Sequence, residues 1–309
     1  MPNTQTELKF FHTHDQHEIA YAVIGNPELR PILFLHGGPG ASANPYEASL
    51  FNLNRYCVIM FDQRGCGRST PSADIHNNTT QHLIQDIEQL RRILNIEYWA
   101  VYGGSWGATL ALEYSKQHRQ RVTSIILRGS FLARKQDLDW FIQPNGVAIK
   151  HPEAYQVLLA ALSPAPEEPL TTRLYNVLKT SFQTSAYKVA LAWDHWEATV
   201  MGTPKASAET NPQQQQKRIA AKLVYAHYCH HQFFLGEQGV MKDLHCLKGI
   251  PVTLIHGKND QVCPLSAAKT LDAALPNSKL IVADAGHNLY EEKLKQALWQ
   301  IVSHSAILL

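Results

Sequence analysis

Gly103-Gly104-Ser105-Trp106-Gly107 sets one hydroxyl among small neighbours. This Gly-x-Ser-x-Gly pattern is a nucleophile elbow when a buried strand precedes it and a helix follows. The serine then sits on a tight, strained turn where bulky neighbours would collide. The turn lifts the hydroxyl above the sheet edge at a helix N-terminus. There, free N–H groups and the helix dipole favour developing negative charge. A serine hydroxyl is a poor nucleophile until a base takes its proton. The elbow therefore predicts an acid and then a histidine further along the chain. Asp260, in His256-Gly257-Lys258-Asn259-Asp260, and His287, in Ala285-Gly286-His287, stand in that order. Asp260 is expected to hold the imidazole in one tautomer, and His287 to act as base and then acid. A second glycine-rich turn, His36-Gly37-Gly38-Pro39-Gly40, is suited to close approach of a substrate carbonyl. The N–H groups of Gly38 and Trp106 are the expected oxyanion donors. His227, Cys229, His230 and His231 cluster in sequence but match no standard zinc spacing. The chemistry needs no metal, so neither metal nor cofactor is expected.

These residues need a scaffold that brings distant segments together. Short, uninterrupted apolar runs occur at Ile32 to Leu35, Tyr56 to Phe61, Trp99 to Tyr102, Val122 to Leu127, Val252 to Ile255 and Leu280 to Ala283. Runs without alternation suit strands buried on both faces, hence a parallel sheet under helices. Leu83, Ile84, Ile87, Leu90, Ile93 and Leu94 recur at helical steps, Gly107 to His118 reads as a second helix, and a closing helix is expected from about Tyr290. The class is α/β. Ser105, Asp260 and His287 each follow one of the apolar runs, which puts them at strand C-terminal ends. From residue 131 to 240 no comparable strand run occurs, and helix formers and aromatics dominate. The expected organisation is a core domain of residues 1–130 and 241–309 with a helical cap of 131–240. Within it, Ser163-Pro164-Ala165-Pro166 reads as punctuation, and Gln213 to Gln216 as an exposed helix start or a loop.

Composition narrows the partners. The net charge of +2 is too small for a nucleic-acid or anionic-membrane surface. The apolar runs are far short of a membrane span, and Met1 to Lys9 lacks the apolar core of a secretion signal. Five cysteines without a Cys-x-x-Cys pair suit reduced thiols better than a disulfide framework. A cytoplasmic enzyme acting on a small molecule or short peptide is expected, with no nucleic-acid or membrane partner.

Several segments together resemble the proline iminopeptidase (prolyl aminopeptidase) family of α/β-hydrolases. They are His36 to Gly40, Asp62-Gln63-Arg64-Gly65-Cys66-Gly67-Arg68-Ser69, Gly103 to Leu110, Leu127-Arg128-Gly129, Asp139-Trp140-Phe141 and Trp193-Asp194-His195-Trp196-Glu197. The likeness spans about residues 17 to 300. It implies an α/β-hydrolase fold with an inserted helical cap, and release of an N-terminal proline or another small apolar residue through an acyl-enzyme. It also implies that Arg64 is scaffold, that Glu197 grips the substrate amine, and that Phe131 and Phe141 pack the ring. Arg128 and Cys263 fall at matched positions near the site. Trp193, Trp196 and Glu197 would share one helix face, giving a carboxylate among indoles. The family carries a second acid in a stretch resembling Glu-Asn-His-Tyr. Here the stretch reads Val224-Tyr225-Ala226-His227-Tyr228, so Tyr225 stands at that position in the substrate site. That departure motivates the alternative reading of an esterase, lactonase or amidase on the same triad. A non-hydrolysing receptor would not need the complete triad, and dehalogenase or epoxide hydrolase chemistry needs a carboxylate at position 105.

Overall fold

The computed structural model of the chain describes residues 7–162, 164–165, 167–180 and 183–304. Residues 1–6, and Ser163 and Pro166 of the proline punctuation, lie outside them. The described strands form one sheet: β1 (Leu8–His12), β2 (Glu18–Ile24), β3 (Arg30–Leu35), β4 (Tyr56–Phe61), β5 (Trp99–Gly104), β6 (Val122–Arg128), β7 (Val252–Gly257) and β8 (Ser278–Ala283). Their order is β1-β2-β4-β3-β5-β6-β7-β8. The hairpin β1-β2 joins β4 antiparallel, and β3 to β8 are mutually parallel.

The apolar runs of β3 to β7 divide their side chains between two cores, because successive strand residues point to opposite faces; the run in β8 is only partly buried, with Val282 exposed. Leu33, Leu35, Ile59, Phe61, Val101, Ile125 and Leu127 enter one core with Leu83, Ile84, Ile87 and Leu90 of α1 (Thr80–Ile93). Helix α2 (Trp106–Gln117) buries Leu110 and Leu112 in that same core. Ile32, Phe34, Val58, Met60, Tyr102 and Ile126 enter the other, against Leu294, Leu298 and Ile301 near the carboxyl end. That double burial is why the runs show no alternation. Truncating a fully buried member such as Ile87 or Leu298 to alanine would cost about 2–5 kcal/mol.

Between β6 and β7 lie α3 (Lys135–Ile142), α4 (Pro152–Ala161), α5 (Leu170–Thr180), α6 (Gln183–Met201) and α7 (Pro212–His230). The last four pack on one another, α4 and α5 on α6, and α5 and α6 on α7. The glutamine run is the first turn of α7. Asn211 caps it, its side-chain oxygen accepting from the N–H of Gln213 at 2.8 Å and of Gln214 at 3.3 Å. Two closing helices, α8 (Leu265–Ala274) and α9 (Glu292–His304), pack on β7 and β8. Strands β1 and β2 and helix α8 escape the apolar-run reading. β1 is a partly exposed edge strand, and β2 and α8 rely on alanines that carry little strand or amphipathic signal. No described helix is long and apolar enough to cross a membrane.

Candidate active site

Ser105 lies between the end of β5 and the start of α2 with φ 56° and ψ −120°. A non-glycine residue at positive φ is strained and persists only where its surroundings hold it. Here its N–H donates to the Arg128 carbonyl at 2.9 Å, and its own carbonyl accepts from Ala108 at 2.9 Å. The flanking glycines are enforced by packing. A side-chain carbon at Gly103 would lie 2.1 Å from the Gly107 carbonyl oxygen, and one at Gly107 2.1 Å from that of Leu35.

Asp260 follows β7 and His287 follows β8, both at the sheet edge that carries Ser105. His287 Nδ1 lies 2.7 Å from Asp260 Oδ2. The other carboxylate oxygen accepts the N–H groups of Val262 at 2.9 Å and Cys263 at 2.8 Å. Burial raises the Asp260 pKa, but His287, His256 and these N–H groups outweigh it, and the carboxyl ends below its ordinary range. An ionised Asp260 fixes the proton on His287 Nδ1 and leaves Nε2 as acceptor. Ser105 and His287 open into one cavity of about 390 Å³. The Ser105 side chain also hydrogen-bonds the Cys263 thiol, which burial keeps protonated.

Supporting contacts surround this centre. Arg128 donates to the His287 carbonyl at 2.7 Å. Glu291 accepts the N–H groups of Gly286 at 2.9 Å and Asn288 at 3.2 Å, bracketing His287. His256 lies against the Cys263 carbonyl at 2.7 Å, and burial holds it below the ordinary imidazole pKa. Glu291 and His256 carry no motif of their own. Glu291 could have been found only as the carboxylate just past Ala285-Gly286-His287.

The second glycine-rich turn lies against the elbow. A side-chain carbon at Gly37 would come 3.3 Å from the Gly104 carbonyl and 3.5 Å from Ser105 Cβ. Gly38 has φ +110° and lines the cavity. Trp106 starts α2 and is fully buried, its indole donating to Gln63 Oε1 at 2.9 Å. Gln63 also donates to the His36 carbonyl at 3.0 Å, so it ties the glycine turn to the elbow. Arg64 lies buried, bound to both oxygens of Asp86 at 2.6 and 2.7 Å and to Asp15. It does not line the cavity that holds Ser105.

The cap supplies the far wall. Phe131, Phe141, Glu197 and Tyr225 all line the cavity. Trp193 does not. It is buried behind the wall, its ring centroid 5.9 Å from Phe141 and 5.2 Å from Tyr225. Trp196 is likewise core, against Tyr155 and Phe141. The expected carboxylate among indoles is therefore absent, because both indoles turn into the cap's own core while Glu197, one residue past Trp196, faces the cavity. Glu197 Oε2 instead meets Lys222 Nζ at 2.5 Å. Lys222 also reaches Asp194 at 2.7 Å, and Arg218 joins Asp194 to Glu209. Lys222, Leu138, Phe233 and Glu47 line the cavity without having been read from the sequence. For Lys222 a signal existed: it is three residues before Tyr225 on α7, hence on the same face. Tyr225 contacts Cys229, and burial raises its phenol well above the ordinary value, so it stays neutral.

The histidine cluster is structural in its contacts. His227 Nε2 lies 2.9 Å from the Asn78 carbonyl, and Tyr175 stacks on His230 at 4.7 Å. Among the described residues no three His, Cys, Asp or Glu side chains converge in a way that could hold a metal ion.

Residues 30–294 match the alpha/beta hydrolase fold family. The chain is 36% identical over 290 residues to the proline iminopeptidase of Xylella fastidiosa, covering 92% of this chain and 91% of that one. It is 35% identical over 300 residues to the proline iminopeptidase of Xanthomonas citri, covering 96% and 95%. Among solved structures, an esterase from Rhodococcus sp. ECU1013 superposes with a TM-score of 0.64 over 95% of this chain and 96% of that one, at 19% identity. At that identity the likeness concerns the fold alone.

Proposed function

The chain belongs to the proline iminopeptidase family of α/β-hydrolases, and from that premise we propose that Ser105, His287 and Asp260 form its catalytic triad, releasing an N-terminal proline or another small apolar residue from peptides. The observation that carries this reading is that His287, paired with Asp260 at 2.7 Å, opens with Ser105 into one cavity whose far wall holds a carboxylate, Glu197. A carboxylate there supports an amine-bearing substrate over a neutral ester.

The proposed chemistry uses these groups in turn. The Asp260 carboxylate keeps the His287 proton on Nδ1, so Nε2 takes the Ser105 proton as Oγ attacks the carbonyl carbon. The N–H groups of Gly38 and Trp106 receive the oxyanion, aided by the N-terminal end of α2. His287 then gives its proton to the leaving amine, and a water activated by the same imidazole hydrolyses the acyl-enzyme. Phe131 and Phe141 pack the side chain of the released residue, and Glu197 receives its ammonium. Tyr225 lines the wall as a neutral group where relatives of this family have a second acid. Residues 1–130 and 241–309 form the catalytic core and 131–240 a cap that closes over it. We place the enzyme in the cytoplasm, acting on small molecules or short peptides without nucleic-acid, membrane, metal or cofactor partners.

The test is a panel of aminoacyl amides, their N-acetylated forms and short acyl esters, with Ser105→Ala as blank. Free-amine prolyl substrates should be turned over best. Preference for N-acetylated amides or neutral esters would replace the aminopeptidase reading with the esterase one.

A further inference from the structure

Glu197, assigned above to the substrate ammonium, is already in contact with an ammonium. Lys222 Nζ lies 2.5 Å from Glu197 Oε2 and 2.7 Å from Asp194 Oδ1. Its side chain is 14% exposed, and it lines the cavity that Ser105 opens into. It also lines an outer groove of the cap together with Asp194 and Glu197, so this ion-pair network is the partition between cavity and groove.

We propose that Lys222 is a tethered competitor for the amine position and sets how strongly the enzyme favours free N-terminal amines over neutral acyl groups. The proposal rests on the aminopeptidase reading and adds to it. A substrate ammonium and Lys222 Nζ are the same chemical species, a cation with N–H donors, asking for the same carboxylate. An incoming amine must displace Lys222 from Glu197. The displacement is feasible because Lys222 need not become an unpaired buried charge, which would be costly. It keeps Asp194, and the outer groove gives its flexible stem room to withdraw. Asp194 is in turn held by Arg218, which is anchored on Glu209, so the tether stays in place while Glu197 changes partner. The competition weakens binding of every amine substrate by the worth of the contact broken and leaves a substrate without a cation untouched by it. Its signature is therefore in KM for amines, because the reacting atoms lie at Ser105.

The experiment measures kcat and KM of Lys222→Met and Lys222→Arg with proline p-nitroanilide and, in parallel, p-nitrophenyl butyrate. Methionine keeps the apolar stem and removes the charge. KM for the prolyl substrate should fall about tenfold, the lower range for a hydrogen bond between charged groups, with kcat little changed, so the amine-to-ester ratio of kcat/KM rises by the same factor. Arginine, whose planar fork can hold both carboxylates, should raise that KM. If Lys222→Met does not fold, seen as loss of turnover on both substrates, the arginine variant carries the test alone, and an unchanged KM there overturns the proposal. An unchanged or raised prolyl KM in a folded Lys222→Met overturns it directly. Should neither wild type nor variants hydrolyse the prolyl substrate while all hydrolyse the ester, the aminopeptidase reading itself fails and the proposal falls with it.

Discussion

At the serine end of the cavity every one of the holding contacts runs through a backbone group. Ser105 is held by the Arg128 carbonyl, Asp260 by two N–H groups, and the His287 turn by Arg128 and Glu291. At the amine end Glu197 is held by another side chain, Lys222, on a neighbouring helix. Backbone contacts at strand ends leave one geometry, which suits groups that must meet a reacting atom within tenths of an ångström. Side-chain ion pairs can exchange partners, which suits recognition of a charge that arrives with the substrate. Under the proposed function, one cavity would combine a rigid reaction centre with a recognition site whose partners can exchange.

The sharpest way to break this comparison is at the rigid end. Ser105→Ala and His287→Ala should each lower kcat on every substrate by on the order of 10³ or more, with the double variant hardly worse than either single one, because such residues act as a unit. Losses that multiply, or a Ser105→Ala enzyme near the wild-type rate, would show that the two residues do not work together.

The next effect tests by pH how α7, the helix that carries Lys222, is fastened. His227 fastens α7 of the cap to the Asn78 carbonyl at 2.9 Å. Burial, with His231, His230 and Lys179 nearby, pushes its pKa down from 6.5 to about 4 despite that hydrogen bond. Between those values the unfolded chain binds a proton that the folded chain does not, so this stabilisation is complete above about 6.5 and is lost as pH falls toward about 4. Asp260 shifts in the same direction, below its usual 3.8, so its contribution is complete above that value and is lost only as pH falls further. Thermal melts of wild type and His227→Gln from pH 7 to 4 should show a decline on acidification that is shallower in the variant. Equal slopes would mean that His227 does not resist protonation.

A smaller, selective effect tests the exchangeable end. Glu197→Gln should lower kcat/KM for amine-bearing amides about tenfold relative to neutral esters, since a charge-assisted bond to the ammonium is lost. An equal loss on both would make Glu197 structural.

The smallest effect concerns the residue behind the wall. Trp193→Phe should lower Tm by a few degrees through lost packing, in line with about 1–2 kcal/mol for such a core change, while KM for prolyl substrates stays within about twofold. A large KM rise without a Tm change would return Trp193 to the substrate site.

What was legible in the chain follows from local rules. Gly103, Ser105 and Gly107 announce the elbow because only small neighbours fit so tight a turn. The runs of β3 to β7 are continuous because both sheet faces are covered, and Ser105, Asp260 and His287 follow the ends of β5, β7 and β8 in chain order. The cap was legible as helix, yet helical spacing alone could not say which face of α6 meets the cavity. It placed Glu197 with Trp193 and Trp196, whereas the packing of α4, α5 and α7 turned both indoles inward and left the carboxylate at the wall. The pairing of Glu197 with Lys222 spans 25 residues and two helices. No local periodicity encodes it, because it depends on how α6 and α7 pack side by side, and that was decided only when the cap closed on its own core.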